Sequence, residues 1–185
     1  MPLHILALSG SQRARSMSAG LLRACRDMAP AGVSIELFAQ HKDFPLFDPE
    51  RTEVPPGVLA LQDAITAADA LLIASPEYAH GVTGTIKNTL DWVVGHAPFA
   101  HKPVAVLNPS YQSFHADEAL KETLRTMSAD LVLDACLRIP VIGSGIDPDA
   151  IALTPRFAAP IQAALRALVA HRTDRQSSVG RQITV

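Results

Sequence analysis

Apolar positions along the chain alternate between two periods, and each change of period marks a new element. Leu3 to Leu8 is a short, nearly continuous apolar run that stops at Ser9-Gly10-Ser11, so it predicts a buried strand. From about Ser16 the spacing lengthens: Leu21, Leu22, Cys25 and Met28 share one helical face, and Pro30-Ala31-Gly32 stops that helix. Val33 to Phe38 alternates, with Val33, Ile35 and Leu37 opposing Ser34 and Glu36, the pattern of a half-exposed edge strand. His41 to Gly57 holds four prolines and no clean period, so it reads as a loop. A loop of that length in a compact domain is usually functional or loosely ordered.

A helix then carries Val58, Leu61, Ile65 and Ala68 toward the core. Ala70 to Ala74 is wholly apolar, a central strand, and ends at Ser75-Pro76. A third helix is predicted from about Val82 to Val94, and a strand from Val104 to Leu107 ends at Asn108-Pro109-Ser110. The next helix spans about Ala116 to Met127. Leu131 to Leu137 reads as a strand, and Asp134 within it predicts an edge. The last helix is expected from about Pro155 to Ala170, with Phe157, Ile161, Leu165 and Leu168 as its buried stripe. From Arg172 the chain is polar and predicts a frayed tail.

Five strands alternating with five helices predict an α/β fold, a parallel sheet covered by helices on both faces. The partly polar second and fifth strands belong at the edges, which gives the order 2-1-3-4-5. That is the flavodoxin-like three-layer sandwich; a Rossmann order would bury the alternating second strand. Residues 1–171 are expected to form one domain and residues 172–185 a polar C-terminal tail.

Composition narrows the function. With 48% hydrophobic and 18% charged residues, the bulk of the chain is not disordered. A net charge of −2 argues against a nucleic-acid surface. No apolar run reaches the roughly 18 residues of a membrane span. The start has no basic segment, and its apolar stretch stops at Ser9, so no secretory signal is expected. Cys25 and Cys136 make no disulfide framework and fit a reducing cytosol, so a cytoplasmic protein is expected. The seven histidines show no H-x-x-x-H, and His96 and His101 sit five apart in a loop, so no metal site is expected. No G-x-S-x-G occurs, and Gly143-Ser144-Gly145 follows the last strand with no helix close behind, which counts against a hydrolase.

In a doubly wound sheet, ligands bind beyond the carboxyl ends of the strands, near the switch between strands one and three. The loop after the first strand, Ser9 to Ser18, packs four serines and Gly10 into a strand-to-helix turn, with Gln12, Arg13 and Arg15 among them. Backbone N–H groups and the helix dipole favour an anion at such a turn, and hydroxyls with a guanidinium fork complete a phosphate site. Neither dinucleotide nor P-loop glycines are present, so one terminal phosphate fits best. The alternative is a serine-capped helix start with exposed arginines.

The loop after the third strand reads Ser75-Pro76-Glu77-Tyr78-Ala79-His80-Gly81-Val82-Thr83-Gly84, and runs on to Lys87-Asn88 and Leu90-Asp91-Trp92. The string P-E-Y-x-x-G-x-x-G-x-x-K-N-x-L-D-W resembles the signature of the NADPH-dependent FMN reductase family, a flavodoxin-like group of chromate, azo and quinone reductases. The first loop's G-S-Q-R-A-R-S matches the family's G-S-x-R-x-x-S, and the resemblance covers about residues 3 to 170. It implies FMN as cofactor and NADPH or NADH as co-substrate. It implies that Ser11, Arg13, Ser16 and Ser18 hold the FMN phosphate, with Gly10 and Met17 in the same cofactor-binding loop. It further implies that Pro76, Glu77, Tyr78 and Ala79 run along the isoalloxazine, offering backbone groups to its polar edge. The family's usual Asn after the tyrosine is Ala79 here, and the proline of its Pro-Gly pair is Thr83.

The loop after the fourth strand departs furthest. The family commonly has a glycine-rich S-x-G-x-x-G-G turn, whereas this chain reads Pro109-Ser110-Tyr111-Gln112-Ser113-Phe114-His115. Ser110 matches the family serine, and both Ser110 and Tyr111 are candidate cofactor contacts. Tyr111 either stacks beside the flavin or joins Phe114 in plugging the helix start. Lys87, Asn88, Asp91 and Trp92 are expected to be structural, bordering the flavin loop and a subunit contact, and His80 is the one histidine near the presumed flavin. The family implies dimers, often paired into tetramers.

Flavin chemistry needs no protein nucleophile, so no catalytic residue is assigned. The expected activity passes reducing equivalents from NAD(P)H through FMN to a small-molecule acceptor: a quinone, azo compound, metal oxyanion or free flavin. The alternative is an FMN-binding electron carrier or redox sensor with little NAD(P)H turnover. Near-neutral charge and two arginines in the phosphate loop favour the reductase. Arg15, outside the matched phosphate residues, is either a contact for the extra phosphate of NADPH or a solvated surface arginine.

Overall fold

The computed structural model describes residues 2–13 and 15–182, with side chains as far as Asp174. In chain order the elements are β1 (Leu3–Ser9), α1 (Met17–Asp27), β2 (Val33–Phe38), α2 (Pro56–Ala67), β3 (Ala70–Ala74) and β4 (Glu77–Tyr78). They continue as β5 (Gly81–Val82), α3 (Gly84–Val93), β6 (Pro103–Leu107), α4 (His115–Thr126), β7 (Asp130–Leu131) and α5 (Pro155–Gln182). Short 3-10 turns lie at Gln40–Asp43, Ala97–Phe99, Leu133–Ala135 and Pro148–Ala150. The main sheet has the order β2-β1-β3-β6-β7, and every pair in it is parallel. That is the expected 2-1-3-4-5 order, with β6 and β7 as fourth and fifth strands.

Pleating divides the sheet residues between two apolar layers. Ile5, Ala7, Leu72, Ala74, Ala105 and Leu107 face α1 and α5, where Leu21, Cys25, Ile161 and Leu165 are buried with them. Leu6, Leu8, Leu71, Ile73, Val104 and Val106 face the other way, onto Leu61, Ile65, Ile86, Leu90 and Leu124 of α2, α3 and α4. All five residues of β3 are buried, which is why its sequence shows no alternation. Truncating Ile73, at 0% exposure in the middle of that strand, to Ala would cost about 2–5 kcal/mol. β2 carries exposed Ser34 and Glu36, as an edge strand does.

Three elements differ from the sequence expectation. The strand expected over Leu131 to Leu137 is only Asp130–Leu131; the chain then makes a 3-10 turn, and a lone bridge joins Asn108 to Arg138. Val132 and Ala135 still reach the core, so burial kept the run apolar without a ladder. The last helix does not stop near Ala170: it continues to Gln182, through most of the stretch expected as a frayed tail, while residues 183–185 lie outside the described residues. No proline follows Ala170, and His171 and Arg172 are tied to Asp130 (2.8 Å) and Asp69 (3.2 Å). Finally, the loop after β3 contains a two-stranded antiparallel hairpin, β4 with β5.

Candidate functional site

β1 and β3 end side by side, with Gly10 N–H donating to the Ala74 carbonyl (2.9 Å). From there one chain turns into α1 and the other into the hairpin, which opens a cleft at the switch point.

The turn after β1 is held mostly by partners from other elements. The Ser9 carbonyl accepts from Nε2 of His41 (2.8 Å), and the Gly10 carbonyl accepts from Oγ1 of Thr83 (2.7 Å). The Gln12 side-chain amide donates to the Lys42 carbonyl and to Oγ1 of Thr85, both at 3.0 Å. A Cβ on Gly10 would lie 2.1 Å from Oγ of Ser75, so only glycine fits between these strands. Ser16 is the N-cap of α1: its Oγ accepts from the Ala19 N–H (3.0 Å), which leaves the hydroxyl proton free to donate. Ser11, Ser16 and Ser18 are buried, and the first turn of α1 has no acidic residue. The dipole at this end therefore meets no competing carboxylate on its own helix.

The hairpin turns tightly. Tyr78 pairs with Gly81, and the two residues between, Ala79 (φ 49°) and His80 (φ 60°), are both left-handed. A two-residue turn with both centres at positive φ is type I′, for which Asn-Gly is the preferred pair. Ala79 and His80 hold this turn with neither of the preferred residues. The Glu77 carboxylate is engaged at α4: its Oε2 accepts from the Ala116 N–H (2.8 Å). Phe114, the N-cap residue of α4, makes no side-chain cap, so Glu77 supplies the cap from outside. Nδ1 of His80 lies 3.6 Å from Glu77, and its ring packs edge-on against His115, with centroids 4.4 Å apart.

The third loop makes its own turns. The Ser110 N–H donates to the Asn108 side chain (3.0 Å), the Gln112 N–H to Oγ of Ser110 (3.1 Å), and the Asn108 amide to the Ser113 carbonyl (2.7 Å). Phe114 sits at the start of α4 under the Arg138 guanidinium, 4.0 Å from its ring centre.

These loops enclose a cavity of about 450 Å³. Ser11, Arg13, Ser16, Met17 and Ser18 line it from the first loop, Pro76, Glu77 and Tyr78 from the second, and Ser110 from the third. Gly10, Ala79 and Tyr111 do not line it: Gly10 packs under the turn, Ala79 is at the hairpin tip, and Tyr111 is 70% exposed. His80, Gln112, Ser113 and Ile142 line it without having been assigned to it from sequence. Gln112 and Ser113 adjoin Ser110 and share its polar loop. Ile142 carried no signal; it is brought in by its N–H bond to the Pro109 carbonyl (2.9 Å). Ala14 lies outside the described residues, and Arg15 is ion-paired with Asp147.

The K-N-x-L-D-W residues have structural partners. Asn88 and Trp92 donate to the Pro45 carbonyl (3.0 and 2.8 Å), Asn88 also accepts from the Phe47 N–H (2.8 Å), and Lys87 pairs with Asp91. Burial holds the Cys25 thiol up at about 12, so this cysteine is an inert core residue. Burial also lowers the His41 imidazole below its ordinary 6.5, opposed by the Ser9 and Phe38 carbonyls.

A cavity at the carboxyl ends of a doubly wound sheet in this order, lined at one end by serines and Arg13, defines a flavodoxin-like α/β protein. The model of the NADPH-dependent FMN reductase family matches residues 3–140, and the chain belongs to that family. It is 36% identical to an NAD(P)H-dependent FMN reductase of Pseudomonas aeruginosa over 129 residues, 66% of this chain and 69% of that one. It is 33% identical to a quinone reductase of Escherichia coli over 113 residues, 58% of this chain and 60% of that one. The match thus spans somewhat over two thirds of the first relative and less than two thirds of the second. The flavoenzyme NAD(P)H:(acceptor) oxidoreductase FerB of Paracoccus denitrificans has the same fold: TM-score 0.79 at 24% identity, over 90% of this chain and 95% of that one.

Proposed function

We propose that the cavity holds FMN and that the protein is an NAD(P)H-dependent reductase of a quinone-type acceptor. The observation that carries this is the combination, at one end of the cavity, of three buried serines, Arg13 and the start of α1, with no acidic residue in that helix's first turn. That donor set fits a single phosphate. The 450 Å³ volume is within the ordinary range for cofactor clefts. In this reading Ser11, Ser16 and Ser18 donate hydroxyl protons to the phosphate, and Arg13 supplies the charged fork. Pro76, Glu77 and Tyr78 offer the backbone edge along which the ring lies, with Ser110 opposite. Bound FMN supplies two-electron transfer between a nicotinamide and an acceptor. Glu77 has its carboxylate engaged at α4, so it positions the hairpin rather than moving protons.

Quinones lead the acceptor classes because relatives carry that name; azo compounds, metal oxyanions and free flavin are the others to assay. We place the protein in the cytoplasm; among the described residues no helix is long and apolar enough to cross a membrane. We further propose a homodimer or homotetramer. Trp92 and Val93 are buried within the chain, while Val94 is 62% exposed at the end of α3 and supports a subunit contact there. Light scattering tests this, and a monomer at micromolar concentration refutes it.

The decisive experiment is anaerobic addition of NADPH, then NADH, to FMN-loaded protein while the visible flavin band is followed. Rapid bleaching, and recovery on adding a quinone, is expected. Binding of FMN without bleaching by either nucleotide would leave an electron carrier instead.

A further inference from the structure

We infer that His41 is a positioning residue for phosphate recognition, a role that rests on the FMN reading: its Nε2–H holds the Ser9 carbonyl away from the anion. An anion cradle needs N–H groups turned toward the ligand and carbonyls turned away. Where a strand runs into a helix, the last strand carbonyls are the acceptors nearest the phosphate. Here two consecutive carbonyls, of Ser9 and Gly10, are each taken by a side chain from another element, His41 at 2.8 Å and Thr83 at 2.7 Å.

His41 lies in the 3-10 turn after β2, within the proline-rich segment, and is 2% exposed. A carbonyl oxygen can only accept, so the hydrogen of the neutral ring is on Nε2. Nδ1 then carries a lone pair, and it is buried with no donor to it among the described residues. An apolar side chain of similar size would fill this space without that unpartnered nitrogen. Packing therefore does not explain the histidine; the bond to Ser9 does. Thr83 differs, because its hydroxyl also caps α3 by accepting from the Ile86 N–H.

The test is fluorescence titration of the cofactor-free protein with FMN and, separately, with riboflavin, which lacks the phosphate. His41→Leu is expected to weaken FMN binding about tenfold, one unmade hydrogen bond and a carbonyl released toward the anion, and to leave riboflavin binding unchanged. His41→Gln, whose amide nitrogen reaches about as far as Nε2, should restore FMN affinity. His41→Asn stops short of that position and should not. Should the Leu variant fail to fold, the contrast between Gln and Asn decides. Equal loss of FMN and riboflavin, unchanged FMN affinity, or identical Gln and Asn variants would each overturn the inference. An unsubstituted protein that prefers neither ligand would instead overturn the phosphate reading, and this inference with it.

Discussion

The two ends of the cavity are built on opposite principles. The turn after β1 is tied from outside at Ser9, Gly10 and Gln12, and none of its described residues has a positive φ. The hairpin after β3 places two non-glycine residues in the left-handed region in succession, and its Tyr78 is 60% exposed. Left-handed backbone costs an ordinary residue roughly 1–2 kcal/mol, so the hairpin stores strain that the turn does not. That strain is held by a few contacts: the Thr83 hydroxyl on Gly10, and Glu77 on the first turn of α4. Relaxed, over-determined backbone lies at the end that, in the proposed function, recognises a compact charged group. Strained backbone lies where a flat ligand would run along an open edge.

The largest effect should come from breaking the relaxed end. Gly10→Ala sets a Cβ 2.1 Å from Oγ and 2.6 Å from Cβ of Ser75, and neither short side chain nor strand can move far. Overpacking of that severity should destabilise the protein by about 3 kcal/mol, read as a lower urea midpoint. Adding Ser75→Gly should recover part of the loss. A midpoint unchanged by Gly10→Ala would mean the turn is looser than its hydrogen bonds suggest.

Removing charge from the same end without touching its backbone should matter next. Arg13 lines the cavity and is exposed, so Arg13→Ala should spare stability and weaken FMN binding by about 1.5–3 kcal/mol, the range of a charge-assisted hydrogen bond. Riboflavin affinity should not change. Equal FMN affinity with and without the guanidinium would remove Arg13 from the phosphate site.

These contrasts bear on what the sequence made legible. Strands whose burial is complete or largely one-sided, such as Ala70–Ala74 and Val33–Phe38, are written in their apolar pattern. Leu131 to Leu137 misleads because Val132 and Ala135 are buried from irregular backbone, and an apolar run alone does not distinguish that from a ladder. α5 outruns its apolar stripe because past Ala170 it needs no core face, only the absence of a stop and ion pairs at His171 and Arg172. That the serines and Arg13 line one cavity was readable, since they share one loop at a strand's carboxyl end. His41 was not, because it acts through a hydrogen bond across 32 residues from a segment without period. Arg15, expected either to meet the extra phosphate of NADPH or to be a surface arginine, is exposed and paired with Asp147, a partner no spacing announced.

The strained end offers a gain in stability. Ala79→Asn keeps the hairpin register and puts a residue that tolerates the left-handed region at φ 49°. It should stabilise the protein by about 1 kcal/mol, seen as a higher Tm, with little effect on the cavity because Ala79 does not line it. A lower Tm would show that the turn is not strained, and the contrast between the two ends would fail.

The smallest effect belongs to the group that joins fold stability to the turn after β1. Burial lowers the His41 pKa in the folded protein below 6.5, so the native chain resists a proton that the unfolded chain accepts. The stability that neutral His41 allows is complete above about pH 6.5. It is lost progressively as pH falls from 6.5 toward the lower folded value, since the unfolded state then binds more protons. Between pH 7 and pH 6 this one group can remove at most ~0.7 kcal/mol, the limit for a folded state that takes no proton. Other histidines titrate over the same range, so the quantity to measure is a difference: denaturation midpoints at pH 7 and 6 for the native sequence and for His41→Gln. The Gln variant should lose less stability across that interval. Equal losses would mean that His41 takes up its proton in the folded state as easily as in the unfolded one, with the Phe38 carbonyl receiving Nδ1–H, and that the turn tolerates a charge beneath it.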